Sequence, residues 1–165
     1  MRHSTFRDNE NAYVTMNGID GTYKTCWTRT MSGIDGTQQC GGFFKEEHVR
    51  VSCGVTLSGS KGSIPLHVRV WTSLDGAADD ESFGIANVVI TKRQGIEKDS
   101  FKNPLDFEGW NCGKITTCGN LDQVCGGYNV KGQGSGIKKT FWLPAGTYSV
   151  ELDFIKIDSW FVRVI

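Results

Sequence analysis

Four carboxylates stand within seven residues of one another, Asp75, Asp79, Asp80 and Glu81, in the run Leu74 to Asn87, LDGAADDESFGIAN. Acids this crowded repel one another unless solvent, a cation or basic groups offset them. Hard oxygen ligands in an irregular loop suit Ca2+, which takes six to eight oxygens in flexible geometry. The loop lacks the glycine turn and terminal glutamate spacing of an EF-hand, so the plainer reading is a solvated loop that keeps a strand edge soluble. Patterns for nucleophilic or zinc catalysis are missing: there is no Gly-x-Ser-x-Gly and no His-Glu-x-x-His. Two acids ~5–10 Å apart across a cleft would serve a glycosidase, but neighbours in one loop more readily form a metal cage or a solvated rim. The sequence therefore reads as a non-enzyme.

Cysteine is the second chemistry-bearing residue. Cys26, Cys40, Cys53, Cys112, Cys118 and Cys125 are even in number and sit among glycine-rich β-like segments, which suits disulfides in an oxidising compartment. Zinc fits poorly, because no Cys-x-x-Cys pair exists and His3, His48 and His67 are scattered. Six cysteines allow fifteen connectivities, so spacing does not fix the pairing. Local closure favours Cys26 with Cys40 and Cys118 with Cys125, which leaves Cys53 for Cys112. Buried thiols are the alternative.

The elements that must position these groups are strands. Eight are predicted: Ala12–Met16, Lys24–Thr30, His48–Leu57, Leu66–Thr72, Phe83–Thr91, Ile137–Leu143, Thr147–Ile157 and Phe161–Val164, short, rich in Val, Thr and aromatics, and bounded by Gly, Asp and Ser. Alternation is clearest where Tyr148, Val150, Leu152 and Phe154 share one face. No window keeps a helical stripe, so 165 residues of this pattern imply one all-β domain, an antiparallel sandwich or jelly roll. The polar stretch 91–106 reads as a linker joining halves 1–90 and 107–165.

Charge excludes several partners. Lys plus Arg and Asp plus Glu are 18 each, so the net charge is zero, whereas a nucleic-acid or anionic-membrane binder needs a basic surplus. No apolar stretch approaches the ~20 residues of a membrane span, and the opening MRHSTFRDNENAYV lacks the apolar centre of a signal peptide. Near-neutrality offers little protection against self-association. Five tryptophans, Trp27, Trp71, Trp110, Trp142 and Trp160, are mostly core in a sandwich; one or two are expected outside, where they suit sugar rings.

Trp71-Thr72-Ser73-Leu74-Asp75, followed by Asp80-Glu81-Ser82-Phe83-Gly84-Ile85 and Asn87, resembles a cysteine-containing β-sandwich module repeated in extracellular proteins of ciliates and algae. Phe107-Glu108-Gly109-Trp110, Cys118-Gly119, Gly126-Gly127-Tyr128-Asn129, Cys26-Trp27 and Cys40-Gly41 are similar to its other motifs. The module's Ile-Asp-Ser-Trp run leads directly into Asp-Asn-Glu. Here Ile157-Asp158-Ser159-Trp160 lies near one end of the chain and Asp8-Asn9-Glu10 near the other, so the order is permuted. The resemblance implies a galactose-binding-like jelly roll with bound Ca2+ and a role in adhesion or a surface coat. A calcium site can then draw on Glu10, Asp79, Asp80, Glu81 and Asp158. Two arrangements restore the module: the halves close within one chain, or one subunit completes the next and a head-to-tail filament grows. The expectation favours the self-assembling structural module, with a calcium-dependent carbohydrate-binding adhesion module as the alternative.

Overall fold

Along Glu47–Leu57 exposed and buried residues alternate with period two, the signature of a strand with one face on a core. A computed structural model describes residues 6–7, 10–17, 22–31, 37, 39–40, 46–74, 78, 81–93, 107–132, 134–158 and 162–163. Its strands are β1 (Phe6–Arg7), β2 (Glu10–Asn17), β3 (Tyr23–Met31), β4 (Glu47–Leu57), β5 (Ile64–Thr72), β6 (Glu81–Lys92), β7 (Ile115–Cys118), β8 (Leu121–Gly126), β9 (Gly136–Leu143), β10 (Gly146–Asp158) and β11 (Val162–Arg163). They form a five-stranded sheet, β4-β10-β6-β8-β7, a four-stranded sheet, β3-β2-β5-β9, and the small pair β1-β11. Every pairing is antiparallel. The fold is the expected antiparallel β-sandwich.

One core fills the space between the two sheets. Val14, Val68, Val70 and Phe141 come from the four-stranded side; Val51, Ile85, Val150, Leu152 and Phe154 come from the five-stranded side. Each such side chain contributes about 1.5–3 kcal/mol when fully buried. Trp27 of β3 reaches across to Phe154, with ring centroids 5.6 Å apart. The face predicted for Tyr148, Val150, Leu152 and Phe154 is buried throughout, and the Tyr148 hydroxyl is satisfied by donating to Pro144 O at 2.7 Å.

β10 lies between β4 and β6, so a strand of the C-terminal half is inserted between two strands of the N-terminal half. The polar stretch at 91–106 begins as strand, since Thr91 and Lys92 belong to β6 and Arg93 N donates to Thr147 O at 3.0 Å. β7 and β8 were not predicted. They are short and polar, yet Gly119-Asn120 between them is a two-residue hairpin signal, with Gly119 at φ 59° in the left-handed region.

All six cysteines are disulfide-bonded, but each expected pairing is replaced: Cys26–Cys53, Cys40–Cys118 and Cys112–Cys125. Loop length alone misleads here, because a bridge needs Cα atoms about 4.4–6.8 Å apart, and only topology supplies that. β3 and β4 are the edge strands of the two sheets on the same side, and Cys26–Cys53 clips those edges together at Cα–Cα 5.8 Å. Cys40–Cys118 ties the segment after β3 to β7, spanning 78 residues of sequence.

Candidate functional site

The acidic loop is shorter than the sequence suggested, because β6 already begins at Glu81. Asp75, Asp79 and Asp80 lie outside the described residues. Ala78, at the loop's centre, accepts a hydrogen bond from Asn129 N at 3.1 Å. It also packs under Gly132, where a Cβ would come 2.8 Å from Ala78 Cα. Ala78 therefore leans on the segment before β9.

Glu81 and Asp158 face each other in the β6–β10 register, 2% and 4% exposed. Asp158 has φ 65°, uncommon for a residue with a side chain, where β10 ends. Glu10, 3% exposed, opens β2 beside the other end of the loop and accepts from Ser73 Oγ at 3.1 Å. Three buried carboxylates thus flank one loop at one end of the sandwich. Lys156, fully buried and opposite Phe83, follows Phe154 on the same face of β10 and stands diagonally across from Glu81. Buried charge is costly unless it is paired, and Lys156 is the cation that the register sets beside Glu81. Carboxylate oxygens are the donor type Ca2+ takes. Among the described residues, however, no group of three or more His, Cys, Asp or Glu side chains is assembled to hold an ion.

Asn87, grouped with the acidic run on sequence, sits elsewhere. It occupies the β6 bulge at φ 49°, on the outer face of the five-stranded sheet. There its Nδ2 donates to Asp153 Oδ2 at 2.7 Å and its carbonyl accepts from Arg50 Nη1 at 2.8 Å. The expected Trp160 and its neighbour Ser159 lie outside the described residues, as do Asp8 and Asn9. β1 and β11 nevertheless pair within the chain, Phe6 opposite Arg163 and Arg7 opposite Val162.

A second candidate surface was not read from the sequence. On the outer face of the four-stranded sheet, register sets Arg69 directly opposite Lys138 and His67 opposite Thr140. His67 Nδ1 and Thr140 Oγ1 are hydrogen-bonded at 2.7 Å. Arg69 lies over the Trp71 ring at 5.1 Å, and Trp71 stacks on Tyr13 with centroids 4.2 Å apart. A cleft of ≈ 260 Å3 opens here, walled by Tyr23 on one side and by Gly109 and Asn111 on the other. Asn111 is fixed to β9, its Oδ1 accepting from Lys138 N at 2.6 Å and its Nδ2 donating to Gly136 O at 3.0 Å. Trp142, 66% exposed, continues the row beyond Thr140, and Tyr23 is 57% exposed. The alternating His67-Val68-Arg69-Val70-Trp71 and Lys138-Lys139-Thr140-Phe141-Trp142 carry this face in the sequence, but only the register joins them.

The chain matches no family model, no curated protein and no solved structure. The surface chemistry must therefore be argued from the residues themselves. Three disulfides fit an oxidising compartment, and no helix among the described residues is long and apolar enough to cross a membrane.

Proposed function

We propose that this chain is a non-catalytic extracellular module that binds saccharide on the outer face of its four-stranded sheet and is stabilised by Ca2+ at the end carrying the acidic loop. The observation behind the binding role is the aromatic outer face, with Trp142 and Tyr23 exposed towards one end of the sheet and the Tyr13–Trp71 stack towards the other. Large apolar rings held on a rigid sheet offer flat surface to the C–H faces of sugars at little entropic cost. Glycan-array binding by the oxidised chain tests this reading, and it is abandoned if no neutral or acidic saccharide is retained.

Burial of Glu10, Glu81 and Asp158 around the loop supports calcium. A ligand at a hundred times its dissociation constant, binding only the folded state, adds about 2.7 kcal/mol. The melting temperature should rise with Ca2+ and fall in chelator, with Asp80→Asn and Glu81→Gln blunting the response. If the melting temperature is the same in both conditions, the acids are compensated by groups of the protein itself and no ion is needed.

Head-to-tail assembly is the second reading: the β1–β11 pair closes within one chain, and assembly would require that pair to open and re-form between two molecules. Light scattering at high concentration decides it. A monodisperse monomer removes the filament and leaves the closed chain.

A further inference from the structure

We propose that the saccharide taken by the outer face of the four-stranded sheet is anionic, carrying carboxylate or sulfate groups that Arg69 and Lys138 bind together. The inference deepens the proposed saccharide reading and rests on it, but it is independent of calcium, which belongs to the opposite chemistry at the acidic loop.

Like charges directly opposite across an antiparallel pair are destabilising, yet Arg69 and Lys138 face each other in register. No carboxylate stands among the described residues that line the cleft, which places Lys138 and Arg69, with His67 beside them, around one opening. The arrangement has a use if the missing negative charge arrives with a ligand. Arg69 is held over the sheet by its contact with the Trp71 ring, 5.1 Å from guanidinium carbon to ring centroid, and a guanidinium matches a carboxylate or sulfate through two parallel hydrogen bonds. Lys138 adds a point charge on the other side of the same anion. The hydrogen-bonded His67–Thr140 pair and the Asn111 side of the cleft surround that position with polar groups suited to ring hydroxyls.

Size and setting select the occupant. At ≈ 260 Å3 the cleft is just under the ~300 Å3 lower end of ordinary ligand pockets. It is open, and so suits one residue of a longer sugar chain that continues over Trp142 or Tyr23. A peptide adding itself as a strand needs a bare sheet edge, but β5 is hydrogen-bonded on both sides, and at the β9 edge Asn111 already takes Lys138 N, Lys138 O and Gly136 O. A nucleic acid draws on many phosphate contacts, which a chain of zero net charge with only Arg69, Lys138 and Lys139 as the Arg and Lys residues among those lining this cleft does not provide.

The test is calorimetric titration of the intact, disulfide-bonded chain at low ionic strength, with three saccharide probes: tetragalacturonate, a sulfated galactose tetramer and neutral galactotetraose. Both acidic probes, or one of them, should bind at least about tenfold tighter than the neutral one, and the stronger of the two identifies the anionic group. Lys138→Gln and Arg69→Gln should each weaken acidic binding roughly tenfold or more, as expected for loss of a charged hydrogen bond, while leaving the melting temperature nearly unchanged. Added salt should weaken it further, and chelator should leave it unaltered. Equal affinity for neutral and acidic tetramers overturns the proposal while leaving saccharide binding in place. So does acidic binding that survives both substitutions, acidic binding that disappears in chelator, or equally tight binding of polyglutamate or single-stranded DNA.

Discussion

The two outer faces of this sandwich solve the same electrostatic problem in opposite ways. On the five-stranded sheet Arg50 stands directly opposite Asp153, reaches it at 3.2 Å, and contacts Glu151 at 3.4 Å. On the four-stranded sheet the corresponding direct pair is Arg69 with Lys138, two cations. The first face is also covered, since Cys40–Cys118 belongs to a small second cluster in which Ala86, Ile155 and Ile157 pack against Val124 and Leu121. The second face keeps Tyr23 and Trp142 in solvent. A face whose arginine is paired with carboxylates and whose apolar residues are capped serves the fold. One that leaves cations together beside exposed rings gives up a little stability and retains surface for a ligand.

Breaking the cap should have the largest effect. Replacing Cys40 and Cys118 together by Ala removes a bridge closing a 78-residue separation, which loop entropy values at about 4–5 kcal/mol. Trp142→Ala on the opposite face should stay within about 0.5 kcal/mol, as exposed positions usually do. Guanidinium unfolding of both variants measures the contrast, and a Trp142→Ala loss comparable to that of the double cysteine variant would mean that the open face is structural.

Next in size is the internal charge pair. Asp153→Ala removes both the ion pair to Arg50 and the hydrogen bond from Asn87 Nδ2 that holds the bulge. Arg50 is largely exposed, so the ion pair itself adds well under 1 kcal/mol; with the bulge contact the loss should be about 1 kcal/mol. Glu151→Ala, at a longer and equally exposed contact, should cost less than half of that in the same urea titration.

Converting one face into the other is a smaller change with a more informative sign. Lys138→Glu turns the like-charge pair with Arg69 into an opposite-charge pair of the kind Arg50 and Asp153 make. Cross-strand energetics then predict a gain of about 0.5 kcal/mol. The same substitution should abolish binding of acidic saccharide. A variant that loses stability would show that the two cations are not in conflict.

Much of this contrast lay beyond the reach of the sequence, although the strands did not. Val, Thr and aromatic alternation located strands such as Glu81–Lys92 and Gly146–Asp158 to within two residues, because period-two burial is a local property. Ile115–Cys118 and Leu121–Gly126 escaped because a short hairpin of mixed Thr, Asp and Gln carries little alternation. The disulfides were visible as chemistry but not as pairs, since Cys26 meets Cys53 only after two sheet edges are brought side by side. Site reasoning fared similarly. The acids near Glu81 announced themselves by crowding along the chain, whereas Arg69 and Lys138 are 69 positions apart, and only the β5–β9 register makes them neighbours.

The smallest expected effect concerns a cation outside both faces, and it separates the cost of burial from the cost of repulsion. Lys131 precedes Gly132, and its stem packs close to Gly126, where an added Cβ would come 2.9 Å from Lys131 Cγ. Partial burial removes solvent from the ammonium group and lowers its pKa below the usual 10.5. The folded state therefore holds fewer protons than the unfolded state between the lowered pKa and 10.5, and stability rises with pH across that window. Below it the charged lysine is a constant penalty; above it both states are neutral and the penalty is gone. Lys131→Met keeps the stem and removes the charge, so the variant should melt slightly higher than the parent at neutral pH, with the difference shrinking as pH approaches 10.5. Short thermal scans between pH 7 and 10 on both proteins measure this. A difference that stays flat, or favours the parent at neutral pH, would show that the ammonium group has a compensating partner and that desolvation is not what sets its energy.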